Sequence, residues 1–247
     1  MGIKYYPNRV FKKQVPAIDR VMAKRSPKKV SGTDSGAATT YTHLIKADSD
    51  WVVDAIALNF SAAVARAYSI SVQNGRRVIT DLNNYLWFQV DSSLPQKIEL
   101  DDGFYTGTQL AAELQDKLDA NASFTALGIN FTVSYDDLLG EFTITPSSGN
   151  IRYLDVNTAQ TLPNRDSIAG HLFGLNATTT FAASIVSDTV VQGLDQETVI
   201  ISETVATHIN RYHDDVHILS VDQALRLSVT FGAALRMDWT VVYEEIV

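Results

Sequence analysis

The chain has 247 residues, 45% of them hydrophobic, and a formal net charge of −8, so it is long enough to bury a full core as one large domain or one domain with appendages. With no cysteine it has neither a disulfide framework nor a thiolate metal site. No apolar run approaches the roughly 20 residues a spanning helix needs, and the N-terminus lacks the apolar core of a secretory signal, so no membrane role is expected.

Charge is unevenly placed. Residues 1–35 hold nine Lys/Arg against Asp19 and Asp34, a net of +7, which leaves −15 for residues 36–247. Pro7, Pro16 and Pro27 each remove a backbone donor from this stretch, and SGTDSGAATT after it reads as a flexible joint. Residues 1–36 are therefore expected to be an extended basic arm without a core of its own. A solvated tail, a nucleic-acid contact through counterion release and an acidic protein surface compete as its role. The interleaved apolar side chains and the acidic body favour the protein surface, on a neighbouring subunit. The residues assigned to that inter-subunit contact are Tyr5, Tyr6, Arg9, Phe11, Lys12, Lys13, Arg20, Lys24, Arg25, Lys28 and Lys29.

Short segments rich in β-branched and aromatic residues follow. Strands are expected at 39–46, 51–60, 67–73, 77–80 and 85–91, with Asn74-Gly75 read as a tight hairpin turn. From Lys97 the pattern changes. Ile98 and Leu100 alternate with polar residues as in a half-buried strand, and Asp101-Asp102-Gly103 supplies turn chemistry. Thr106 or Thr108 can cap a helix whose apolar stripe is Leu110, Leu114 and Leu118, with Glu113 and Lys117 on its wet side. Phe131, Val133 and Tyr135, then Phe142 and Ile144, alternate across Asp136–Gly140 as a β-hairpin. Ser167–Leu175 closes the unit with a short helical turn.

The order G-x-Y-T (Gly103, Tyr105, Thr106), L-x-x-x-L (Leu110, Leu114), F-x-V-x-Y…G-x-F-x-I (Phe131, Val133, Tyr135, Gly140, Phe142, Ile144) and Ser167, Ala169, Leu172, Gly174 resembles a module of structural proteins in tailed-phage and other double-stranded DNA virus particles. It covers residues 97–175 of 247. Where that pattern carries proline before the first glycine, this chain has Asp102. The resemblance implies a virion structural role in a capsid, decoration, collar or tail position, with localisation in a particle assembled in the host cytoplasm.

Beyond the module, strands are expected at 185–192, 198–203, 216–221, 225–231 and 238–245. The last, with both faces apolar, suits a central position. The expected fold is mainly β: a β-sandwich or jelly-roll-like body over 37–247, carrying an inserted strand–helix–hairpin module at 95–180 and preceded by the basic arm.

Chemistry is sparsely signalled. His208, His213 and His217 with Asp214 and Asp215 form the one histidine-rich stretch. On a strand His213 and His217 would lie more than about 10 Å apart at roughly 3.3 Å per residue, so no metal site is assigned. Adjacent acid pairs in turns do not match a calcium loop, and no phosphate-loop, nucleophile-elbow or dinucleotide motif occurs. The expected function is therefore non-enzymatic, without cofactor, metal or small-molecule substrate: a virion protein assembling with copies of itself and other virion proteins, packaged DNA being a further candidate partner of the arm. The alternative is a receptor- or carbohydrate-binding β-sandwich of a phage fibre, for which Trp51, after the polar ADSD, is the candidate exposed ring.

Overall fold

The computed structural model describes residues 28–35, 40–46, 50–62, 66–161, 164–205, 210–213, 217–220, 222–231 and 236–246. The strands are β1 (Lys28–Ser35), β2 (Thr40–Lys46), β3 (Asp50–Phe60), β4 (Arg66–Asn74), β5 (Arg76–Val78), β6 (Tyr85–Val90), β7 (Gln96–Glu99) and β8 (Gly103–Tyr105). Helices α1 (Gly107–Asp119) and α2 (Ala122–Ala126) follow, then β9 (Phe131–Asp136), β10 (Glu141–Pro146), β11 (Ile151–Leu154) and β12 (Ile185–Val186). The chain ends with β13 (Glu197–Val205), β14 (Asn210–His213), β15 (His217–Leu219), β16 (Gln223–Phe231) and β17 (Arg236–Ile246). The fold is mainly β, and its contacts divide it into two compact units: residues 1–70, 199–221 and 225–247, and residues 71–198 with 222–224.

The first unit contains two sheets, the first of them antiparallel. One runs β1-β17-β3-β14, with β15 also on β3; the other runs β13-β4-β16-β2. Because β14 and β15 lie along the same side of β3 (His213 opposite Ile56, His217 opposite Val53), they act as one interrupted strand. Numbering the resulting eight strands along the chain gives sheet orders 1-8-3-6 and 5-4-7-2. The neighbours 1·8, 2·7, 3·6 and 4·5 are the nested pairs of a jelly roll. Side chains join its faces: Phe60 meets Phe231 edge-on at 5.8 Å, His43 of β2 lies 5.4 Å from the Trp239 ring of β17, and the Arg66 guanidinium sits 3.9 Å above the Phe60 ring. The last strand is central, between β1 and β3, as its two apolar faces predicted.

Along β3 and β17 the register steps over Asp54, because Ala55 faces Val242 while Val53 faces Tyr243. That bulge aims a half-buried carboxyl beside Glu244. Burial first, and the Glu244 charge second, push the Asp54 pKa above the usual aspartate range. A raised folded-state pKa means the protonated form is favoured by folding, so stability is full below the unfolded pKa and falls as pH rises through the folded one. Asp54→Asn should therefore raise the melting temperature at pH 7. The gain should shrink as pH falls through the raised folded-state pKa and be gone by about 4, the ordinary aspartate value, in melts across that range. A gain independent of pH would refute the assignment.

The second unit is built around α1. Thr106 caps the helix and Gln109 returns the bond, a capping box that singles out Thr106 over Thr108. Leu110, Leu114 and Leu118 are fully buried in one core with Phe124, Phe131, Phe142, Tyr153 and Phe173. The sheets here are β12-β10-β9, β11-β6-β7 and the pair β5-β8. The helix also completes the outer edge of β9: Gln115 Oε1 accepts from the Val133 N–H at 2.9 Å and Asp119 Oδ1 from the Phe131 N–H at 2.7 Å. Spaced four apart, the two side chains replace a missing neighbour strand and close that edge to pairing.

Four local expectations need correction. Asn74-Gly75 makes no hairpin: β5 pairs with β8, while the Asn74 and Gly75 N–H groups donate to Gln196 and Asp222 carbonyls. Glycine is required there for close packing, since a Cβ would overlap the Tyr105 carbonyl oxygen and the Phe104 ring. Gly103 opens strand β8 opposite Val78 and does not sit in a turn. Glu113 is not simply on a wet face; its carboxylate accepts the Asp101 N–H at 2.8 Å and lies 3.7 Å from Lys117. The stretch expected as a strand over 185–192 pairs only at Ile185 and Val186.

Candidate assembly surfaces

Of the residues assigned to the basic arm, Tyr5, Tyr6, Arg9, Phe11, Lys12, Lys13, Arg20, Lys24 and Arg25 lie outside the described residues. Lys28 and Lys29 are described, and they begin β1, which pairs antiparallel with β17 over its whole length, Lys28 opposite Tyr243 through Ser35 opposite Arg236. The expected flexible joint is thus strand as far as Ser35. Its physical basis is Gly32, directly opposite Trp239: a Cβ there would come within 2.5 Å of the indole ring. The bare glycine lets the Trp239 ring lie over the edge strand, an aromatic cover for an edge glycine.

Three polar side chains of β1 are engaged by the same unit. Lys28 pairs with Glu245 at 2.5 Å, and that hydrogen bond, ahead of the Glu245 charge, raises the Lys28 pKa. Thr33 donates to Asp238 at 2.6 Å, a bond that together with Arg236 lowers the Asp238 pKa. Asp34 lies 2.7 Å from the His43 imidazole of β2. Lys28 is thus seated in β1 against Glu245 of its own chain.

The residues weighed for chemistry have structural partners. Asp102 accepts from the Thr80 N–H and hydroxyl, Asp101 pairs with Lys117 at 2.7 Å, and Asp136 accepts from the N–H groups of Leu138 and Leu139. Asp137 accepts from the Tyr135 hydroxyl and the Asp195 N–H. Burial pushes the Tyr135 pKa up to about 12, so the hydroxyl keeps its single proton, which the Asp137 carboxylate at 3.0 Å and the Val191 carbonyl at 2.7 Å share. His208, Asp214 and Asp215 lie outside the described residues. Among the described residues no group of three or more His, Cys, Asp or Glu converges as metal ligands would.

The tryptophan expected to be exposed is buried. Trp51 is 3% exposed and stacks on Tyr243 with ring centroids 3.7 Å apart, while Trp87 and Trp239 are 6% and 8% exposed. Asp50 opens β3, and Trp51 follows it opposite Leu219 of β15, where its ring is buried. None of the three rings is a free stacking platform.

One exposed apolar surface was not anticipated. At the tip of the β9–β10 hairpin, Leu138 and Leu139 are 85% and 54% exposed, and Val190 beside them is 61% exposed. Asp136 shapes the loop through its two N–H contacts, and Gly140 closes it with φ +69°. The Val191 N–H donates to the Gly140 carbonyl at 2.7 Å and Gln192 Nε2 donates to the Leu138 carbonyl at 3.2 Å, which holds residues 190–192 against the tip. Two neighbouring leucines in a turn that needs only polar residues were the available sequence signal.

No family model matches the chain, and no curated protein matches it. Among solved structures, the flagellar cap protein FliD D2-D3 domains from Escherichia coli align at 10% identity and a TM-score of 0.15, over 83% of this chain and 99% of that one. A likeness of that size carries no argument about fold or function.

Proposed function

We propose that this protein is a structural subunit of a double-stranded DNA virus or phage particle, assembling with copies of itself and with other virion proteins into a ring or shell. The observation that carries the reading is the nested strand order of the first unit, a jelly roll, with residues 71–198 inserted between its fourth and fifth strands. A jelly roll occurs in viral capsid proteins and also in lectins and cupins, so the fold alone does not choose among them. Two further facts support the particle. The insertion contains the whole virion-like module, its motif residues serving as core, cap and turn. And the chain separates its charge, with net +6 over residues 1–27 and −14 over the rest, which suits contacts between identical subunits. The burial of Trp51, Trp87 and Trp239 disfavours carbohydrate stacking.

Mass photometry of the purified protein and quantitative mass spectrometry of purified particles test this. A discrete oligomer and a fixed copy number per particle are expected. Hundreds of copies would indicate shell or decoration, and about 5, 6 or 12 a vertex or tail ring. A monomer that is absent from particles and binds a glycan array would overturn it.

A further inference from the structure

The hairpin tip of the second unit combines two properties that call for a specific partner. Leu138, Leu139 and Val190 are exposed apolar side chains on segments tied together by the Gly140–Val191 and Leu138–Gln192 hydrogen bonds, with Asp136 shaping the loop. Apolar side chains grouped in this way mark contact sites more often than single exposed ones do. The chain segments that form the tip carry charge of one sign. Residues 118–151 and 166–210 contain no Lys or Arg at all, whereas Asp136, Asp137, Glu141, Asp188 and Asp195 fall within them. Asp136, which shapes the loop, is exposed, and so is Asp188, two residues before Val190.

A matching segment exists in the same chain. Residues 1–27 carry Lys4, Arg9, Lys12, Lys13, Arg20, Lys24 and Arg25 against the single Asp19, with Tyr5, Tyr6, Val10 and Phe11 among the cations. Aromatic and arginine side chains are those enriched at interface cores, and the basic residues would meet the acidic rim. Fully extended, the segment spans up to about 90 Å from the start of β1, at roughly 3.3 Å per residue. We infer that the Leu138–Leu139–Val190 tip is the docking site for residues 1–27 of a second copy. This deepens the assembly reading and rests on it. Each copy carries both halves of the contact, so the interface is head-to-tail and closes a ring or continues a shell.

The test uses the full-length chain with a benzophenone amino acid at Leu138, prepared as a mixture of nitrogen-14 and nitrogen-15 labelled copies. Irradiation should yield mixed-isotope cross-links from position 138 to residues 1–27. In parallel, the double variant Leu138→Asp, Leu139→Asp should melt as the parent does, because both side chains are exposed, yet self-associate at least about tenfold more weakly. Oligomers that form normally while position 138 links only within its own copy, or only to other segments, overturn the docking site and leave the assembly reading intact. Unchanged association of the double variant does the same. A chain that stays monomeric at every concentration overturns the docking site, and if it is also absent from particles and binds glycans it overturns the assembly reading too.

Discussion

Leu114→Ala should destabilise the second unit by about 2–5 kcal/mol, the cost of lost transfer energy plus the cavity left in a packed core. Leu114 is fully buried between Leu110 and Leu118, and the rings of Phe124, Phe131 and Phe142 belong to the same core. Little can relax to fill the space, because α1 is pinned at both ends. Thr106 and Asp195 hold its first turn, and Gln115 and Asp119 bind it to β9. The control is Asp116→Ala on the exposed face, expected to stay within about 0.5 kcal/mol. Glu113→Ala should fall between them, at about 1–3 kcal/mol, since it strips a charged acceptor from the Asp101 N–H. Urea denaturation of the three variants gives the order. Leu114→Ala no less stable than Asp116→Ala would mean that the helix stripe does not face the core.

Removing residues 1–27 should abolish or strongly weaken self-association while leaving the melt unchanged, whereas removing residues 1–35 should unfold part of the first unit. The difference lies in β1. Deleting Lys28–Ser35 uncovers the edge of β17 along eight register pairs and exposes the Trp239 ring, which is 8% exposed in the intact protein. Uncovering one large core side chain alone costs about 3 kcal/mol, before the lost ladder is counted. Association of the intact protein should also weaken with salt, because attraction between exposed charges is screened over about 10 Å at 0.1 M. Mass photometry and thermal melts of both truncations, at low and high salt, make the comparison. A residue 28–247 protein that still assembles, or a residue 36–247 protein that melts as the parent does, contradicts the boundary at Lys28.

Most of the strands, α1 and the β9–β10 hairpin were legible because each is written in local periodicity. Leucines every four residues place one stripe on a helix, and alternation across Asp136–Gly140 places two strands on a turn, whatever the rest of the chain does. The mainly β character followed from the same residues. Local pattern was least informative where glycine or a carboxylate had two uses. Asn74-Gly75 has hairpin chemistry, but the Phe104 ring and the Tyr105 carbonyl occupy the space beside Gly75, and the β4 and β5 backbones pair elsewhere. SGTDSG has the composition of a joint, yet Trp239, more than 200 residues later, lies over Gly32, and residues 31–35 are strand. Glu113 looks like half of a surface ion pair until the Asp101 N–H is placed against it.

The candidate surfaces divide in the same way. Charge separation along the chain, and the absence of any catalytic motif, are properties of the sequence and need no coordinates. Which tryptophan is buried, and which leucines are exposed, are decided by the partner each side chain meets. Trp51 finds Tyr243 across the bulged β3–β17 ladder, whereas Leu138 and Leu139 project from a loop whose backbone is satisfied by Asp136 and Gln192. The nested order of the jelly roll is likewise tertiary. Pairing β1 with β17 and β2 with β16 joins residues about 200 positions apart, and no periodicity within either strand names its partner. Composition and period determined that this chain would build strands around one amphipathic helix; long-range burial and backbone pairing decided which strands became neighbours and which apolar side chains were left facing water.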